Sequence, residues 1–159
     1  MAASRVVTTA DRELGLDVYP EEAVSRRRGY RERFGKLFPS AQLRRDATAS
    51  YNCYGLVLAG RRGWVRLDDL PCILTDDGYR LVGAREAAQP GDIILYKDGG
   101  VIEHMGIVLE LRSLTASSSL TIPFVLSKWG PGPEYVHHVA HSPFGTDYEI
   151  WTDRPAGAI

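Results

Sequence analysis

A dominant charge of either sign is missing from this chain. Nineteen lysines and arginines stand against twenty aspartates and glutamates among 159 residues, a net of −1, so no overall field exists to hold it on nucleic acid or an anionic membrane. Long hydrophobic runs are missing too, since none approaches the roughly 18–20 residues that a membrane-crossing helix needs. The opening ten residues carry Arg5 where an apolar stretch would begin, which is unlike a secretory signal. The expectation is a cytoplasmic protein, or one exported by a dedicated machine that needs no such leader. Cysteine is scarce. Cys53 and Cys72 are the only two, and a chain this long buries a core without a disulfide staple, so two free thiols are expected.

What is present is an ordinary globular mixture, 44% hydrophobic and 25% charged, of a length that fits one domain over 1–159. The near-zero net charge hides a split: residues 1–66 sum to +6 and residues 67–159 to −7. Residues 1–47 read as a helical extension. Within it, Pro20 to Leu37 has a helical pattern, with Val24, Tyr30, Phe34 and Leu37 near one face and five arginines covering the rest, a solvated basic face. Residues 38–52 lack periodicity and read as a loop. A short buried helix is predicted to begin near Cys53, with Asn52 or Ser50 as its N-cap. A second is predicted from Asp68 to Leu74, with Pro71 in its first turn. Strands follow at Ile93–Tyr96, Val101–Leu111, Thr121–Trp129, Tyr135–Val139 and Tyr148–Trp151, the first pair closed by the hairpin loop Lys97-Asp98-Gly99-Gly100. Helices first and an antiparallel sheet afterwards make an α+β domain, with residues 48–159 as its core.

A thiolate is favoured at a helix N-terminus, where unpaired N–H groups and the macrodipole stabilise negative charge. Cys53 is predicted to sit there. The same N–H groups suit the oxyanion of a tetrahedral intermediate, and a thiol nucleophile needs a base within reach. His104, on a predicted strand, is the candidate. Gly106 is expected to share its face and to leave room there for the helix that carries Cys53.

The segments Asn52-Cys53-Tyr54-Gly55-Leu56-Val57, Pro90-Gly91-Asp92-Ile93-Ile94-Leu95-Tyr96 and His104-Met105-Gly106-Ile107-Val108 resemble, in order and spacing, the three signature blocks of the NlpC-type cysteine peptidases, papain-like hydrolases related to the CHAP amidases. The resemblance covers about residues 48–130. It implies a papain-like fold and hydrolysis of an amide or peptide bond through a thioester, with Cys53 as nucleophile and His104 as base. Cell-wall peptides and protein conjugates are the substrates it suggests, without a cofactor. Relatives of the family deamidate or transfer acyl groups. The family's third polar residue, which orients the histidine, falls on the strand holding Ser127 and Lys128, and Ser127 alone of these has an acceptor for a histidine N–H. Tyr51 matches a family tyrosine near the oxyanion site. Tyr54 stands where the family carries serine, and bears on substrate preference.

Plainer readings stand beside these. Cys72 reads as core. Trp129 is either core or the wall of a substrate cleft, and Lys128 reads as solvated. His137, His138 and His141 lack zinc-like spacing, and neighbours on a strand face opposite ways, so no metal is expected. A histidine of this group is a second candidate to orient His104. A catalytically inactive binding module on the same scaffold is the alternative function.

Overall fold

The computed structural model describes residues 4–83 and 86–157. The chain is α+β, mostly sheet, in two antiparallel sheets with three α-helices. Strands β1 (Arg5–Val7) and β2 (Glu13–Gly15) form a small hairpin. Helix α1 (Val24–Leu37) follows, then β3 (Gln42–Arg45), α2 (Cys53–Leu58), a 3-10 turn at Leu67–Asp69 and α3 (Leu70–Asp76). The remainder is β4 (Arg80–Leu81), β5 (Ile93–Asp98), β6 (Val101–Ser113), β7 (Thr121–Lys128), β8 (Glu134–His138) and β9 (Tyr148–Thr152). The large sheet runs β3-β8-β7-β6-β5-β9-β4. No described helix is long and apolar enough to cross a membrane.

The expected strands all form, each extended or trimmed by a residue or two. Gly99 and Gly100 both have positive φ, 56° and 83°, the pairing a two-residue hairpin turn demands. The N-terminal third differs from its reading as a helical extension. Its helix begins at Val24 rather than Pro20, because Glu21 is drawn off to accept from Ala49 N at 2.8 Å. Residues 42–45, read as loop, add an edge strand to the main sheet. All four side chains of β3 are exposed, so burial leaves no alternation to read, and two arginines discourage further pairing at that edge.

Two cores flank the sheet. On one face, α2 and α3 pack Cys53, Tyr54, Leu70 and Ile73 against Ile93, Leu95 and Met105. On the other, Ile94, Tyr96, Val108, Val125 and Val139 pack together. The alternation of β5 and β6 assigns each residue to its face. Helix α1 buries none of its own residues fully, yet its Phe34 meets Trp129 edge-on at 5.1 Å, and Phe38 following it does so at 5.3 Å.

Candidate active site

Helix α2 begins at Cys53 because Asn52 caps it. The Asn52 carboxamide oxygen accepts from Gly55 N at 2.8 Å and from Val65 N at 3.2 Å, while its Nδ2 donates to Val65 O at 2.8 Å. One side chain therefore fixes both the helix start and the loop that passes it.

The helix start is wedged into a fork in the sheet. Val108 N–H donates to Asp92 O, on the β5 side. By alternation along an antiparallel strand, Met105 N–H points the other way, towards β7. There the β6–β7 ladder has ended, its last pair being Gly106 with Ser127. The Cys53 thiol lies near that position, where the N–H groups of Met105, Tyr54 and Cys53 favour its charged form. Burial outweighs these donors: Cys53 is 7% exposed, and its thiol is pushed up to about 11. The helix start does not make a resting thiolate here.

His104 is the next residue back from Met105. It pairs across from Tyr96, which places its ring on the sheet face opposite α2, stacked on Phe144 with centroids 3.5 Å apart. Gly106 shares that face, but the room it leaves is taken by Val125 and Ser127 rather than by α2; a Cβ there would lie 2.4 Å from Val125 Cγ1. His104 is 1% exposed, and its Nε2 is buried without a hydrogen-bond partner. Burial first, then the neighbouring His137, holds the imidazole neutral, well below its ordinary pKa. The thiol thus lies on the α2 side near Met105 and the His104 ring on the opposite face of the sheet, and no hydrogen bond joins them.

Ser127 serves a different histidine. Its Oγ lies 2.8 Å from His137 Nε2 and 3.0 Å from Trp129 Nε1, while His137 Nδ1 lies 2.8 Å from His138 O. A carbonyl only accepts, so Nδ1 carries the proton, Nε2 accepts from the serine hydroxyl, and the serine lone pair accepts from the indole. No hydrogen bond joins Ser127 to His104. Burial, foremost, lowers His137 to about 4. His138 and His141 lead elsewhere: His141 Nδ1 is 2.8 Å from Ser40 Oγ.

Trp129 is 1% exposed and roofed by Phe34 and Phe38, so it is core and lines no cleft. Tyr51 and Tyr54 are buried as well, at 3% and 7%. Tyr51 OH donates to Glu134, and Tyr54 belongs to the core around α2. Cys72 is half-buried in α3 with Sγ 3.1 Å from Asp69 O.

Lys128, read as solvated, is 0% exposed. Its Nζ donates to Thr48 O at 2.6 Å and to Gly130 O and Gly132 O at 2.7 Å, and lies 5.2 Å from the Tyr51 ring centroid. Glu134, also 0% exposed, pairs directly across from it on β8. Arg61 grips Glu134 through Nε at 2.6 Å and Nη2 at 3.0 Å. Tyr51 precedes α2 and Arg61 follows it, so one carboxylate fastens both ends of the helix that carries Cys53. Arg61 holds φ at 67°, a left-handed conformation that a non-glycine residue adopts at some cost. Sequence reasoning missed this clasp, since its members are spread from residue 51 to residue 134. The one available signal was a lysine and a glutamate inside otherwise strand-like segments.

The neutral buried histidines make the fold sensitive to acid. His137 binds its proton near pH 4 when folded and near its ordinary 6.5 when unfolded. Between those values the unfolded chain holds more protons, so stability falls as pH drops, by on the order of 3 kcal/mol across the window. His104 shifts in the same direction. Urea midpoints at pH 7 and pH 5 test this, and a His137→Gln variant should show the shallower slope. Equal midpoints at both pH values would mean these rings are not held neutral.

No family model, curated protein or solved structure matches the chain in comparison.

Proposed function

We propose that this protein is a cysteine amidohydrolase or peptidase on an NlpC-type, papain-like scaffold, with Cys53 as nucleophile and His104 as base. The observation that supports it most is the seating of Cys53 Sγ in the β6–β7 fork, among the N–H groups of Cys53, Tyr54 and Met105, one residue along from a buried imidazole with a free nitrogen. Backbone donors fixed in a dry site suit a tetrahedral oxyanion and need no reorganisation during reaction. In this reading the thiol and the imidazole are both neutral at rest. The thiol proton passes to His104 as Sγ attacks the carbonyl carbon of a peptide or amide. The C–N bond then breaks, and the imidazolium returns its proton to the leaving amine. Water attacks the thioester next, releasing the acid and restoring the thiol. Positioning of the His104 ring falls to Phe144, stacked on it, and to Tyr96 across the strand pair.

Closure of the site favours one second reading. A 7% exposed thiol and a base stacked beneath Phe144 also suit a binding module that has kept the scaffold without turnover. Incubation with cell-wall peptides and with cytosolic protein conjugates separates the two. Under the enzyme reading the wild type releases an amine and an acid, or ammonia in a deamidation, or an exchanged acyl group. The Cys53→Ala and His104→Gln variants lose on the order of 10³-fold or more of that rate. Turnover surviving in Cys53→Ala, or none from the wild type on either class, would overturn the enzyme reading.

A further inference from the structure

We infer that Lys128 is a positioning residue for Cys53, a fixed positive charge held across the β6–β7 fork to stabilise the thiolate as it forms. This rests on the reading of Cys53 as the nucleophile. The geometry begins with the register. Gly106 pairs with Ser127, so the next positions outward, Met105 and Lys128, stand opposite each other where the ladder stops. The Met105 N–H favours the charged form of the Cys53 thiol, and Lys128 stands on the far side of the same gap.

The side chain is immobilised as few lysines are. All three ammonium protons are spent on carbonyls, those of Thr48, Gly130 and Gly132. Lys128 therefore has no proton left with which to hydrogen-bond the thiol or a substrate. What remains to it is its charge, exerted on the thiol in a buried site where solvent screens it little. The same three carbonyls tie the segment before α2 to the turn after β7, which keeps the charge and the cysteine in register. Burial, foremost, lowers the ammonium to about 8, while Glu134, Cys53, Glu21 and Glu22 oppose that fall.

Other charged and titratable groups surround the pair on every side. Tyr54 is on α2, Glu103 and His104 on β6, Glu134 on β8, and Tyr51 and Arg61 flank α2. Arg61 is already paired with Glu134, and among the described residues Lys128 is the cation whose charge acts on the thiol.

The experiment is the pH dependence of Cys53 alkylation by iodoacetamide, a neutral probe that charge does not steer. It is run on wild type, Lys128→Met and Glu134→Gln, with Cys72 replaced by serine throughout. Lys128→Met should slow the reaction about tenfold at pH 7, the effect of a single nearby charge at intermediate dielectric. That deficit should shrink above pH 8, where the wild-type ammonium loses its proton. Glu134→Gln keeps the three carbonyls around Lys128 but removes the negative charge that holds the ammonium's pKa up, so its alkylation advantage over Lys128→Met should fade at a lower pH than in the wild type. A constant deficit at all pH values in Lys128→Met would mark packing rather than charge and overturn the inference. If Lys128→Met does not fold, Glu134→Gln decides alone, and a pH profile of alkylation identical to that of the wild type would sink the idea. A wild-type thiol that iodoacetamide modifies no faster at any pH in the folded protein than by transient unfolding would instead refute the nucleophile reading itself.

Discussion

Glu134→Ala should lower stability by about 3 kcal/mol, a loss of about 6–12 °C in melting temperature for a chain of this length. The carboxylate is fully buried, takes two bonds from Arg61 and one from Tyr51, and stands across from the buried ammonium of Lys128. Removing it strands a buried positive charge and two oriented donors, and uncompensated burial of this kind costs several kcal/mol. Arg61 moderates the loss because its side chain is 34% exposed and turns to water. Glu134→Gln, which keeps the shape and one acceptor, should cost less than half as much. Acid should mimic the alanine variant. Burial pushes the Glu134 carboxyl up, but Arg61 and Tyr51 outweigh it and hold it below its ordinary range. Its contribution is complete above the unfolded carboxyl value and is lost as pH falls through the folded one. Denaturant midpoints at pH 7 measure the effect, and a loss under about 1 kcal/mol would show that the clasp does not fasten α2.

Gly55→Ala should destabilise the protein by about 2–3 kcal/mol, although alanine in place of a helical glycine ordinarily gains about 1 kcal/mol. The new Cβ would stand 1.9 Å from Gly63 O and 3.1 Å from Asn52 Oδ1. A backbone oxygen cannot rotate aside, and the loop that holds it is pinned at Val65 by Asn52 and at Trp64 by a pair of hydrogen bonds with Asp17. The helix must therefore move, and Cys53 is its first residue. On the proposed role of Cys53, a shift near 1 Å at its thiol is worth about 100-fold in rate, so alkylation or turnover should fall along with stability. Unfolding curves and the alkylation rate on the same sample test both halves, and a more stable Gly55→Ala would contradict the packing described.

Much of the frame was legible because its signals are local. Asn52 before an apolar run predicts a helix start, and the Asn52 cap is there. The Gly99-Gly100 pair between β-rich segments predicts a hairpin, and β5–β6 is that hairpin. Edge strand β3 and hairpin β1–β2 were not legible, since three or four mostly exposed residues give no periodicity to count. The surroundings of the site were not legible either. Nothing near Lys128 in sequence distinguishes an ammonium held by carbonyls from residues 48, 130 and 132 from one in water. Ser127 has the acceptor that a histidine needs, but its hydroxyl is claimed by His137, ten residues later on the neighbouring strand.

By itself, then, the sequence determined a helix-start cysteine, a strand-borne histidine and an antiparallel sheet, because capping, turn chemistry and alternation act over a few neighbouring residues. Only the tertiary structure decided that the thiol lies in a fork beside β6 with the imidazole on the other face, and that both are buried and neutral. It also decided that one carboxylate fastens both ends of α2. Protonation, hydrogen-bond partnership and burial depend on what distant segments bring within a few ångströms, and no local pattern encodes that.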